Sequence, residues 1–209
     1  MASESKHPKH ELSPMDPPEA YKPPSTVNVS CEEMHPFLQE LMKDHEKIKA
    51  ALDKFEATII AMKEKGITRE ISESLKEFFQ FFSEEFIAHD KREEKGLFPL
   101  LAKKLIKKGE HSHGPVPTTS VDVMEDDHLK AVQLTAVIFN FFGLASQLKD
   151  EVSHALVMDA AIEQSFQLVE LMRLHIFRED TILFPLAHQC MEPEEFNGLQ
   201  SLRRTNLEK

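Results

Sequence analysis

Tryptophan is absent and tyrosine occurs once, so the aromatic bulk of any core falls to 15 phenylalanines. There are only two cysteines, Cys31 and Cys190, and no Cys-x-x-Cys pair. At most one bridge could form, which excludes a disulfide framework; two reduced thiols are the expected state. Basic residues are too few for a polyanion binder: 25 Lys and Arg stand against 36 Asp and Glu, for a formal net charge of -11. Nucleic acid and anionic membrane are therefore not expected as main partners. The acid excess would instead attract cations, weakly through salt. The start of the chain has no apolar core of a signal peptide, and no run of about 18 apolar residues is seen, so neither export nor a membrane span is expected. These shortages together suit a cytoplasmic protein. No segment alternates convincingly with period two, so essentially no sheet is expected.

What is present is a polar, proline-rich opening followed by amphipathic segments. Residues 1–30 are rich in Pro, Ser, Lys and Glu and read as an irregular tail. Residues 31–209 read as one domain, long enough to bury a single core. A first helix begins at Pro36, carries its apolar stripe from Leu38 to Ile59 and stops at Gly66. Thr68 caps a second, with Leu75, Phe78, Phe79, Phe82 and Phe86 on its stripe and Pro99 expected to kink or end its regular part. Residues 107–120 form a loop by composition. The third helix places Val121, Met124, Val132, Ile138, Phe139 and Phe142 on its apolar side. A polar break at Lys149–Ser153, with Ser153 as cap, precedes a fourth helix with Leu168, Leu171, Met172, Ile182 and Leu183 on its stripe. A short fifth, Glu194–Leu202, follows Pro193. The expected fold is all-α: an up-down-up-down four-helix bundle with that short fifth helix and the irregular N-terminal tail.

Within this pattern a repeat stands out. His89 to Leu100 reads HDKREEKGLFPL, and His175 to Leu186 reads HIFREDTILFPL. Each contains His-x-x-x-Glu, as His89 with Glu93 and His175 with Glu179. Upstream of each lies an Asp-His pair, Asp44–His45 and Asp127–His128. The chain is thus a helical hairpin written twice. Residues four apart share a helix face, so an imidazole and a carboxylate can meet one metal pair. Phe82 and Phe86, like Leu168 and Met172, precede their histidine by seven and three residues, so these polar groups sit on apolar stripes and point into the core.

A levelling test supports convergence. In an antiparallel hairpin, residues at one height are equidistant from the turn. The midpoint of positions 45 and 89 is 67, that of 128 and 175 is 151.5, and that of 89 and 128 is 108.5. Each falls where composition already places a turn.

These motifs resemble the hemerythrin-like, His–His-x-x-x-Glu cation-binding family over about residues 36–190. Ferritin-like bundles use Glu-x-x-His instead, and no such pair lies in the right frame. The resemblance implies two iron ions, oxo- or hydroxo-bridged, with Glu93 and Glu179 spanning both. His45 and His89 would serve one iron, His128 and His175 the other. Oxygen carriers of the family have a further histidine four residues from the one on the third helix; here Met124 and Val132 stand in those places, which argues against reversible oxygen carriage. Asp90, directly after His89, is a candidate additional ligand, although aspartates are more commonly solvated. Ile176 occupies the matching place in the second repeat.

The implied function is a non-haem di-iron protein that binds, senses or detoxifies a small oxidant: oxygen, nitric oxide or peroxide. Two other classes stay open. One is a di-iron enzyme, for peroxide disproportionation or iron donation in repair; repair members of the family carry a Cys-containing N-terminal domain, and this tail has only Cys31. The other is a metal-dependent interaction module. Asp44 and Asp127 are expected to face away from the ligands as surface or supporting groups, and Arg92 and Arg178 to make surface pairs. His7, His10, His35, His111, His113, His154 and His188 are given no metal role.

Overall fold

The computed structural model describes residues 29–207, with side chains to residue 200. Most of the expected tail, with His7 and His10, lies outside the described residues. Among the described residues all regular structure is helical and no strand occurs.

Helix α1 spans Pro36–Lys65. His35 caps it, its Nδ1 accepting from the Phe37 N–H at 3.2 Å, so this histidine has a structural task. Gly66 ends it at φ 72, a left-handed angle that a side chain would strain. Thr68 then caps the second rod, accepting from the Ile71 N–H. That rod runs through α2 (Arg69–Phe81), a π turn (Phe82–Phe86), α3 (Ile87–Arg92), a second π turn (Glu93–Leu97) and α4 (Phe98–Lys108). Regular geometry therefore gives way before Pro99, not at it, and the rod continues beyond. Proline has no N–H to offer the preceding turn, and the wider π turn absorbs that loss.

The loop covers only residues 109–119, since α4 reaches Lys108 and α5 spans Ser120–Ala145. Helix α6 spans Glu151–Arg178 and is followed by a π turn (Glu179–Leu183) and α7 (Phe184–Cys190). Its cap is Asp150, which accepts from the Ser153 N–H at 2.8 Å; the carboxylate three residues earlier takes the role expected of Ser153. Helix α8, Pro193–Leu207, starts at the proline and runs further than expected.

Partners across the first turn recede from it in step: Thr58 with Ser74, Phe55 with Phe78, His45 with His89 and Asp44 with Arg92. Helices α5 and α6 pack along each other, and α1 packs on both α2 and α6. The inward face of α5 differs from the expected one. Val132 and Phe139, expected inside, are exposed; Val121, Met124, His128 and Ile138 are buried as expected, joined by Ala131 and Thr135. Helix α5 is also long and apolar enough, by length and composition, to cross a membrane, which the search for apolar runs had not anticipated.

Buried apolar residues form two clusters. One holds Ile48, Phe55, Phe78, Phe86, Ile138 and Met172; the other holds Leu38, Leu41, Leu97, Leu101, Met124 and Phe184. In α1 and α5 the first cluster follows the buried histidine along the chain; in the second rod and, Ile176 apart, in α6 it precedes the buried His-x-x-x-Glu pair. A polar layer lies between the two.

Candidate metal centre

That layer consists of His45, His89, Glu93, His128, His175 and Glu179, none more than 2 % exposed. All six expected ligands meet there. They form two groups, His45, His89, Glu93 and Glu179, and Glu93, His128, His175 and Glu179, each with its donor atoms within 4.8 Å of one another. Both glutamates belong to both groups.

The imidazoles converge through Nε2. His45 and His89 bring these atoms to 3.0 Å, and His128 and His175 to 3.1 Å. Glu179 Oε2 lies 3.1 Å from the Nε2 of both His45 and His175. Glu93 spans the other two, with Oε1 3.4 Å from His89 and Oε2 3.5 Å from His128. All four carboxylate oxygens of Glu93 and Glu179 are buried, and none is aligned for a hydrogen bond. Carboxylate oxygens enclosed in a dry core without an aligned hydrogen bond are costly, and cations at this place would offset the cost. The spacing suits that occupancy: two donors each about 2.1 Å from one ion, at a right angle, stand about 3.0 Å apart.

The outer nitrogens explain why the repeat has its particular acids. Asp180 Oδ1 lies 2.6 Å from His45 Nδ1, and Glu94 Oε1 lies 3.0 Å from His128 Nδ1. Glu94 and Asp180 are matching positions of the two repeats, so each repeat orients the histidine of the other. A carboxylate accepts from Nδ1–H and leaves the Nε2 lone pair facing the centre. The Leu-Phe-Pro-Leu segments act likewise: Phe98 stacks on His128 and Phe184 on His45.

The aspartates before the ligands are supporting groups, and they are less exposed than expected. Asp127 is buried, accepts from Arg178 at 3.1 Å and stands 3.9 Å from His175 Nδ1. Asp44 is half-buried and pairs with Arg92, whose guanidinium also lies 3.4 Å from His89 Nδ1. The two arginines thus pair with groups tied to the site.

Asp90 departs from expectation most. It is buried, 4 % exposed, where a solvated acid was the commoner expectation. Its Oδ1 has no hydrogen-bond partner and lies 3.7 Å from His128 Nε2, at the edge of the second group. Burial and the neighbouring Glu93 push its carboxyl up to about 8.

Without a metal the histidines carry the compensation. Burial opposes charge on His45, but Asp180 and Glu179 outweigh it and raise its pKa to about 9. His175 is likewise raised to about 10, burial being overcome by Glu179 and Asp127. His128 is held below its ordinary value by burial and by His175. Glu179 is held far below the usual carboxylate range, the flanking His175 and His45 overcoming burial.

In the loop His111 is half-buried and His113 exposed, and these two, like His154 and His188, lie outside both groups. Compared with known families, the chain matches the Hemerythrin HHE cation binding domain over residues 37–187. No curated protein and no solved structure matches it.

Proposed function

The chain belongs to the hemerythrin HHE cation-binding family, and from that premise we propose that it is a non-haem di-iron protein that binds, senses or detoxifies oxygen, nitric oxide or peroxide. The observation that carries this reading is the set of four orphaned glutamate oxygens facing four imidazole Nε2 atoms in a dry layer. His45 and His89 would hold one ion and His128 and His175 the other, with Glu93 and Glu179 shared by both. Mixed imidazole and carboxylate donors suit iron better than metals that prefer thiolates. The alternation of the two apolar clusters along successive rods supports an up-down-up-down arrangement of the four.

Bound iron would supply electrons and open coordination positions for a small oxidant. The protein's own part is to orient the donors and keep water out. Asp180 and Glu94 fix the tautomers of His45 and His128, while Phe98 and Phe184 cover the rings. Ile48, Phe86 and Met172, each three residues from a histidine of the layer, line with Phe82 and Leu168 a void of about 10 Å³, room for one water-sized molecule. An apolar approach favours small neutral ligands over ions.

The test is the absorption spectrum of iron-loaded, anaerobic protein before and after air, and after nitric oxide. New near-ultraviolet bands are expected, and their loss in Glu93→Ala and Glu179→Ala. Loaded protein whose spectrum ignores both gases would refute the oxidant-binding reading.

A further inference from the structure

We propose that Asp90 is a seventh protein ligand, on the ion held by His128 and His175, and that it makes the two metal positions chemically unequal. This rests on the di-iron reading above. Successive residues of a helix point about 100° apart, close to the right angle between the two neighbours of a rod in a four-rod bundle. On the second rod, His89 faces His45 of α1, and Asp90 faces His128 of α5. Glu93, one turn on, reaches toward both. The aspartate is therefore aimed at the second metal position by the same geometry that aims His89 at the first.

Its surroundings require a partner. Asp90 Oδ1 is enclosed, accepts no hydrogen bond and lies 3.7 Å from His128 Nε2, one of the atoms that define the second group. A buried aspartate oxygen that accepts no hydrogen bond is rare.

The other repeat shows the contrast. At the matching place stands Ile176, 1 % exposed and part of an apolar cluster. It offers no donor. The ion between His45 and His89 would thus have one protein ligand fewer than its neighbour.

The proposal is tested by anaerobic loading with iron-57, followed by Mössbauer spectroscopy and chelator competition. Wild-type protein is expected to show two ferrous doublets of equal area and different splitting. Asp90→Ile copies the second repeat, so the two doublets converge, and one iron binds at least roughly tenfold more weakly, the least that loss of a supporting group costs. Asp90→Asn, nearly the same shape, guards against misfolding; it too weakens one iron while the circular dichroism stays unchanged. Variants that keep the wild-type doublets and both affinities would overturn the role of Asp90 and leave the di-iron reading intact. Wild-type protein that takes up no iron would instead remove the di-iron reading itself.

Discussion

Asp180 and His45 lie far apart in sequence, yet the Asp180 carboxylate sits 2.6 Å from the ring Nδ1 of His45. Its second oxygen takes a hydrogen bond from Lys49 at 3.0 Å, which anchors it. The pair ties the end of α6 to the middle of α1 and sets the ring so that Nε2 faces Glu179.

Removal of that anchor is expected to loosen the metal without unfolding the bundle. Asp180→Ala should lower iron affinity roughly 10–100-fold, the usual cost of losing a carboxylate behind a ligating histidine. Glu94→Ala should act in the same direction through His128. Chelator competition measures both, with circular dichroism as the control.

The buried glutamates trade stability for binding. In metal-free protein, Glu93→Leu removes a carboxylate with no aligned partner. It should unfold at higher denaturant than metal-free wild type, by about 1–3 kcal/mol, the cost of burying a polar group without a hydrogen bond. The same variant should no longer hold a metal pair. Urea titration of both proteins in chelator checks this.

Metal-free protein should also lose stability as the solution becomes alkaline. His45 and His175 have pKa values of about 9 and about 10 when folded, above the roughly 6.5 of a free imidazole. The folded state binds the extra protons, so this stabilisation is complete below the unfolded value and fades as pH rises through 9 to 10. The melting temperature of the apo form should therefore fall between pH 7 and pH 10. Glu179→Gln, which removes the charge facing both rings, should flatten that fall.

The centre was legible because its residues obey helical arithmetic. Four histidines equidistant from three turns, and two Glu residues four places after a histidine, need only a period and a turn to be placed. The cross-repeat bonds of Asp180 and Glu94 were not legible, since spacing within one helix says nothing about which rod stands beside it. Asp90 was misjudged for a related reason. Exposure by residue type favours the surface, whereas its burial follows from a rod that has neighbours on two sides. The inner face of α5 was missed in part because Val132 and Phe139 carry the stronger apolar signal, while Ala131 and Thr135 are the residues buried.

That last difference can be measured. Ile138→Ala should cost about 2–5 kcal/mol, as for other buried large-to-small changes. Val132→Ala, on the exposed side, should stay within about 0.5 kcal/mol of wild type. A Val132→Ala cost as large as that of Ile138→Ala would restore the face inferred from apolarity alone, which held both residues.

The central claim is that two metal ions share two glutamates between four histidines. The most direct measurement is iron per chain after anaerobic reconstitution and removal of loosely held metal by gel filtration. About two irons per chain are expected for wild type, and none retained by the Glu93→Ala, Glu179→Ala double variant. Wild-type protein that retains fewer than one iron per chain would contradict the account.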